Sequence, residues 1–249
     1  MNNIYIYDGH YSSFLALLSQ IIYLKKIPYS IRSENEYVPS LFDETIYLKI
    51  DNKKEKIEHF INLFDKKIMK YVYYVFLSNT DNKEIVIYYF LKNALVYKKN
   101  IFSYRKLNCV NDVIKISHYV SNEVHKLKGF LRFKKMSNNF YYATISPTNN
   151  IIGLLSEHFK NRLSGEYWII KDTKRNIYSL YDTKSIKYLN EIDIVKLNLD
   201  ISSEELLMED LWKTFFNTIS IKERTNLKCQ MNFMPKKYWN NIIEMEDKL

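Results

Sequence analysis

The chain has few of the residues on which several common protein classes depend. Of its 249 residues only four are glycine, four are proline and two are cysteine. The cysteines, Cys109 and Cys229, lie far apart and outside any CxxC motif, so we expect neither a disulfide framework nor a cysteine-ligated metal site. No apolar run approaches the roughly 20 residues that span a bilayer, and the N-terminus does not resemble a signal peptide. We therefore expect a cytoplasmic protein that does not enter the membrane.

Familiar catalytic motifs are also missing from the sequence. Its glycines, Gly9, Gly129, Gly153 and Gly165, are too widely spaced for a P-loop or a dinucleotide-binding fingerprint. Neither HExxH nor GxSxG occurs, and the five histidines do not recur at metal-ligand spacing. We expect no metal and no cofactor.

The positive charge is concentrated in the middle of the chain. The 37 lysines and arginines give a net charge of +9, but lysine, tyrosine and asparagine are all abundant, as an AT-rich genome would produce. The distribution is more informative, because residues 1–100 carry +3, residues 101–182 carry +7 and residues 183–249 carry −1. A localised excess of this kind is typical of a phosphate-binding face.

The first part of the chain, residues 1–105, is predicted to be rich in helix. Ile4–Tyr7 has the pattern of a short strand, and a helix follows from Ser12 or Ser13 until Pro28. Helical spacing of apolar residues returns over 52–78 and 82–98.

Residues 106–249 are predicted to form a basic lobe. A helix from Asn111 or Asp112 should end at Gly129 and lead into a strand over 130–135. The apolar stripe of this helix consists of Val113, Ile116, Val120, Val124 and Leu127. Strands over 140–146, 167–171 and 176–181, with a helix before Leu163, complete a β-β-α-β-β order with antiparallel hairpins. The fold class is therefore α+β, with the helix-rich N-terminal part packed on this lobe, as two domains or one continuous domain.

A capping box, Ser202 with Glu205, predicts a C-terminal helix that ends near Thr218. We expect its apolar residues to pack on the lobe as core. This set consists of Leu207, Leu211, Trp212, Phe215, Phe216 and Ile219.

Residues 125–135, HKLKGFLRFKK, combine cations with aromatic side chains. Aromatic faces beside phosphate-seeking cations are how single strands and flipped bases are held. Where lysine is the common cation, an arginine indicates a need for a planar, multidentate donor, although a structural salt bridge is the alternative. The candidate nucleic-acid-binding residues are Lys128, Arg132, Phe133, Lys134, Tyr142, Arg162, Trp168, Arg224, Asn226, Gln230, Lys237, Tyr238 and Trp239. The aromatic residues in this set could instead belong to the core. The polar residues of the C-terminal segment could instead attach helices to the lobe.

Three residues are candidates for acid–base chemistry: His125, His158 and Asp172. His158 lies four residues before Arg162, so the two share a helix face and could hold a phosphate together. The alternative is a surface pair that stabilises the end of the helix.

Several of these segments resemble a bacterial family assigned to DNA metabolism or DNA repair. The similarity is strongest in HKLKGFLRF (125–133), HFKNRL (158–163), ERTN (223–226) and FMPKKYW (233–239). Members are typically encoded beside a radical-SAM protein, and related domains are sometimes fused to a uracil-DNA-glycosylase-like domain. The resemblance implies a pathway more than a reaction.

We therefore expect a DNA-binding protein that acts in DNA repair with a radical-SAM partner. Two alternatives remain open. One is a DNA-processing enzyme, such as a nuclease, glycosylase or lyase, that uses histidine and aspartate as general acid and base. The other is a scaffold for the partner enzyme.

Overall fold

The computed structural model describes residues 2–40, 43–47, 53–189 and 200–248. The chain folds into two compact units, Met1–Ser121 and Asn122–Leu249. Eight α-helices and two β-sheets lie in the described ranges, which confirms the prediction of an α+β protein. None of the described helices is both long enough and apolar enough to cross a bilayer.

The first unit contains a small parallel sheet. Strands β1 (Asn2–Tyr7), β2 (Ser30–Ser33) and β3 (Asp43–Ile46) lie in the order β2-β1-β3, and both neighbours run parallel to β1. Helix α1 (Tyr11–Tyr23) connects β1 to β2. The sequence predicted only β1 as a definite strand, because β2 and β3 have four residues each and no long alternating pattern.

Three helices cover the core of the first unit: α2 (Lys53–Asn62), α3 (Lys66–Leu77) and α4 (Lys83–Tyr97). The helical pattern over 52–78 is thus two helices, and residue 52 lies outside the described residues. Asp65 begins α3 because its carboxylate accepts a hydrogen bond from the Lys67 backbone N–H at 2.9 Å. The core consists of apolar side chains from α1 and the sheet with those of α3 and α4, among them Phe14, Leu18, Ile31, Val72, Ile87 and Phe90.

Helix α5 (Asn108–Phe130) contains the boundary between the two units. Its buried stripe includes the predicted Val113, Val120 and Leu127. The predicted end at Gly129 and strand over 130–135 are wrong: the helix continues through Phe130, and β4 has only two residues, Lys134–Lys135. The Arg132 guanidinium donates to the carbonyl oxygens of Gly129 at 2.7 Å and Leu131 at 3.2 Å, so a side chain rather than a left-handed glycine caps the helix.

The second unit contains a five-stranded sheet in the order β4-β5-β6-β7-β8. After β4 come β5 (Tyr141–Ile145), β6 (Trp168–Asp172), β7 (Ile177–Tyr181) and β8 (Ile186–Leu189). The predicted β-β-α-β-β order is correct as far as β7, but the structure adds a fifth strand, β8, that the sequence did not predict, and β5 and β6 pair parallel. Helix α6 (Ile152–Arg162) makes the crossover between them, which returns the chain to the same direction. The sheet is therefore mixed, and its other neighbouring strands are antiparallel.

The C-terminal helices are α7 (Ser203–Ile219) and α8 (Leu227–Phe233). Ser202 caps α7 as predicted, because its hydroxyl accepts from the Glu205 N–H at 3.2 Å. The predicted packing of α7 is wrong: Leu207, Leu211, Phe215 and Ile219 are each more than half exposed. Trp212 is also exposed and Phe216 is only partly covered.

Short 3₁₀ helices surround α8, over Lys222–Arg224, Lys236–Asn241 and Ile243–Lys248. The second of them places Tyr238 and Trp239 in the interior of the second unit, where both are almost fully buried. Ile242 and Met245 are buried as well, so this part of the chain is packed on the unit through both aromatic and aliphatic side chains.

Candidate functional site

Four of the predicted binding residues meet at one cleft of the second unit. Lys128, Arg132, Phe133 and Arg162 line a space of about 530 Å³. Tyr141, Phe159 and other neighbours from α5, β5 and α6 complete its wall. The cleft is thus built where two helices end beside the first long strand of the sheet.

Cations dominate the charge of this cleft. Lys128, Arg132 and Arg162 line it, and one acidic residue, Glu166, is among its described lining residues. Arg132 and Arg162 are exposed. Part of the positive charge is balanced by the helix ends, because Arg132 bonds the Gly129 carbonyl in the last turn of α5 and Arg162 is the last residue of α6. The remaining charge favours an anion.

Aromatic rings form the apolar part of the cleft. The Phe133 ring packs edge-on against Phe159, with 5.1 Å between centroids, and lies 6.1 Å from the Trp168 ring. Trp168 is completely buried and stacks on Tyr181 at 5.2 Å. Phe133 and Tyr141 line the cleft directly, whereas Trp168 supports Phe133 from behind and offers no open face for a base.

His158 lies beside the cationic residues of the cleft. Burial lowers its pKa, and the charges of Lys128 and Arg162 lower the pKa further, so the imidazole is neutral at neutral pH. Its Nε2 atom is buried and has no hydrogen-bond partner within the described residues. A neutral imidazole with an unused nitrogen could accept a proton or bond a ligand.

The other two acid–base candidates have different surroundings. His125 is exposed on α5. Asp172 is fully buried, forms a 3.0 Å ion pair with Arg175 and accepts hydrogen bonds from the Lys174 and Arg175 backbone N–H groups. These contacts fix the turn between β6 and β7. In the described part of the chain, no hydrogen bond or ion pair joins His125, His158 and Asp172.

Two predicted residues near β4 are held by neighbouring elements. Lys134 forms a 2.8 Å ion pair with Glu209 of α7. Tyr142 is partly covered in the sheet, where it packs with Ile169 and Tyr178, and burial raises its pKa. Lys134 therefore joins the sheet to α7, and Tyr142 packs within the sheet.

Most of the predicted residues in the C-terminal segment have structural roles. The Asn226 side chain caps α8 by accepting from the Cys229 N–H at 3.0 Å, and the Gln230 amide lies 3.7 Å from the Met245 sulfur. Tyr238 packs against Phe130, with 5.6 Å between ring centroids.

Trp239 donates its indole N–H to the Met234 carbonyl at 2.8 Å. Arg224 is exposed but does not line the cleft. No residue of this segment is among the described residues that line the cleft.

The residue that sequence reasoning missed is Glu123, a buried carboxylate on the inner face of α5. It accepts hydrogen bonds from the Thr148 N–H at 2.9 Å, from both nitrogens of Asn149 at 2.9 and 2.7 Å, and from Lys237 Nζ at 2.9 Å. A signal was present, because Glu123 is an isolated acid between Val120 and Val124 of the predicted apolar stripe. Such an acid is rarely buried without a partner.

Burial alone would raise the pKa of Glu123, but the hydrogen bonds from Lys237, Thr148 and Asn149 outweigh it and lower the pKa. Burial likewise acts to lower the pKa of Lys237, and the contact with Glu123 raises it. Both groups are therefore charged at neutral pH. Lys237 holds the C-terminal segment to α5.

The fold and the cleft define an α+β protein with a cationic, aromatic-lined site in its second unit. Among the described residues, no cluster of histidine, cysteine, aspartate and glutamate is arranged to hold a metal ion. The family model for a domain of unknown function, DUF4130, matches residues 81–244, and the chain belongs to that family. A search of curated proteins gives no significant match.

Proposed function

We propose that this chain binds nucleic acid at the cleft around Arg132 and acts in DNA repair or DNA metabolism. The observation that carries the proposal is the convergence of Lys128, Arg132 and Arg162 beside Phe133. Cations bind the phosphates, and an aromatic ring offers a surface for a base. This combination suits a single strand or an extruded base better than the backbone of an intact duplex.

The size and charge of the cleft support this ligand class. A volume of about 530 Å³ falls within the range of pockets that hold small organic groups. The three cations come from two different helices and the connection after α5, so a bound phosphate would bridge separate parts of the unit. The proposed contact set is Lys128, Arg132, Phe133 and Arg162, with Tyr141 beside them.

Binding is tested by fluorescence anisotropy with labelled single-stranded, duplex and lesion-bearing DNA at several salt concentrations. Affinity should fall steeply with salt, since each neutralised phosphate releases counterions. The double variant Lys128→Ala/Arg162→Ala should bind more weakly on every sequence. Its salt slope should decrease by about one for each phosphate that the two missing cations would have neutralised.

The matched control is Arg105→Ala, which removes a cation from an exposed position in the first unit. Its affinity should stay close to that of the wild type. Absence of binding to all three DNA forms would contradict the proposal, as would tight binding that does not respond to salt.

The pathway and the partner are a separate part of the proposal. They rest on the resemblance of residues 125–239 to a family encoded beside radical-SAM proteins. Co-purification of this chain with a radical-SAM protein of the kind that the resemblance implies, under conditions that remove nucleic acid with nuclease, would support a direct partnership. Failure to co-purify would remove the partner and leave the DNA-binding proposal intact.

His158 favours a second candidate function, a DNA-processing enzyme. Its neutral imidazole, unpartnered Nε2 atom and position beside Lys128 and Arg162 suit a general base near a phosphate. His158 does not line the cleft, so this role requires that DNA binding uncovers the buried Nε2 atom. Asp172 does not assist, because its contacts fix the β6–β7 turn. This candidate requires turnover of a lesion-bearing oligonucleotide by the purified protein alone, and loss of that turnover in His158→Ala.

A further inference from the structure

Helix α7 is oriented with its apolar side toward solvent. The side chains that face the unit are Glu205, Glu209, Lys213 and Phe216, which are partly covered. Next to this side lies a continuous group of exposed residues, here called the α7 stripe: Leu207, Met208, Leu211, Trp212, Phe215 and Ile219. Trp212 forms the edge of the stripe that adjoins the unit, because its indole N–H donates to the Glu244 carboxylate at 3.0 Å. Over its whole described length, α7 has no buried residue. Amphipathic helices of monomeric proteins normally have the opposite orientation.

Polar contacts fix this orientation. Glu209 forms a 2.8 Å ion pair with Lys134, and the Glu205 carboxylate accepts a hydrogen bond from the Lys135 backbone N–H at 3.1 Å. The Ser202 N–H donates to the Lys135 carbonyl at 3.0 Å. Rotation of α7 to bury the stripe would break all three contacts. The stripe therefore faces outward as a consequence of the structure on its inner side.

The exposed area of the α7 stripe approaches the area that one partner contributes to an interface. Its six side chains are between 43% and 63% exposed, which corresponds to about 100 Å² each and about 600 Å² together. That is at the upper end of the largest apolar patch on a typical monomer. It is close to the roughly 800 Å² that each partner contributes to a standard interface.

We propose that the α7 stripe binds the α7 stripe of a second copy of this chain, with the two helices antiparallel. The centre of the stripe has no charged side chain, and homodimer interfaces have this apolar character. The exposed acids Asp210 and Glu204, the latter paired with Lys135, lie in the first half of α7. The segment after its end has two exposed cations, Arg224 and Lys228, and one exposed acid, Glu223. Antiparallel pairing brings acids toward cations and keeps like charges apart, and it satisfies two-fold symmetry.

Sedimentation velocity of the full chain, with reductant present because Cys229 is exposed, tests the proposal. The wild type should be dimeric at about 100 µM, and Leu211→Glu should weaken the dimer by more than about tenfold. Asn217→Glu is the matched control, since it adds the same charge at an exposed position of α7 outside the stripe. Circular dichroism should show that both variants fold.

Cross-linking distinguishes the two helix directions. In a Cys229→Ser background, Thr218→Cys should not form a disulfide with its copy, because antiparallel pairing about Leu211 separates the two positions by about 20 Å. A rapid Thr218→Cys disulfide would indicate parallel helices and overturn the antiparallel arrangement. A wild type that is monomeric at about 100 µM, or a Leu211→Glu variant that stays dimeric, would overturn the dimer itself. None of these measurements depends on nucleic acid.

Discussion

At the scale of single residues, Glu123 is expected to contribute strongly to stability. Its buried carboxylate accepts four hydrogen bonds, which join α5 to residues 148–149 and to Lys237. Glu123→Gln should lower the free energy of unfolding by about 2–4 kcal/mol, because it removes the buried negative charge and leaves Lys237 without its anionic partner. Urea unfolding followed by circular dichroism measures the decrease. Glu157→Gln, at an exposed position of α6, should have no measurable effect.

The same carboxylate makes stability depend on pH. The folded-state pKa of Glu123 is lower than its ordinary value of 4.5. The stability that the ionised carboxylate contributes is therefore fully present above pH 4.5 and is lost as the pH falls through the folded-state pKa. Acid unfolding of Glu123→Gln should therefore be less steep than that of the wild type. Equal steepness in the two proteins would show that Glu123 does not govern the acid transition.

His158 provides a measurement of the charge in the cleft. Lys128 and Arg162 contribute to its lowered pKa, after the larger effect of burial. Arg162→Gln should raise the pKa of His158, and so should an anion bound in the cleft, because each reduces the local positive charge. NMR titration of the imidazole measures both changes. Lys174→Gln, at an exposed position in the β6–β7 turn, should leave the pKa unchanged.

At the scale of secondary-structure elements, polar contacts hold α7 on the second unit, and these contacts differ in how exposed their side chains are. Glu205→Ala removes the acceptor of the Lys135 backbone N–H, so hydrogen exchange should increase in both β4 and α7. Glu204→Ala is the control, because its carboxylate pairs with Lys135 Nζ while its side chain is 76% exposed, and exposed pairs contribute little. Equal exchange in the two variants would show that the bond from Glu205 to Lys135 does not hold α7.

The elements also show what sequence patterns can predict. The apolar stripe of α5 and the capping box of α7 were predictable because each is a local pattern with one structural meaning. The outward orientation of α7 was not, since the spacing of Leu207, Leu211 and Phe215 identifies an apolar face but not what covers it. The parallel pairing of β5 and β6 depends on long-range contacts through α6, which hairpin patterns do not encode.

Prediction of the candidate site was limited in the same way. Residue type and spacing identified Lys128, Arg132 and Arg162, which the cleft brings together. Residue type and spacing could not show that Tyr238 and Trp239 lie outside the site, because an aromatic residue beside a lysine has the same sequence pattern in a core as on a binding surface. Burial, which is a property of the whole fold, makes that distinction.

At the scale of the whole molecule, the cleft and the α7 stripe are formed by different residues. The two proposals therefore predict one short oligonucleotide per chain, whether the protein is a dimer or a monomer. Titration at concentrations well above the dissociation constant should give this ratio for the wild type and for Leu211→Glu. A ratio of one strand to two chains in the wild type would mean that the cleft needs residues from both copies.

The three tryptophans of the chain have a further consequence, because all lie in the second unit in different environments. Trp168 is stacked on Tyr181 and Trp239 is buried, whereas Trp212 is partly exposed in the α7 stripe and donates to the Glu244 carboxylate at 3.0 Å. The long-wavelength part of the intrinsic fluorescence should therefore come from Trp212. Quenching of that emission by iodide, measured against protein concentration, reports directly whether the stripe is covered in solution without any added label.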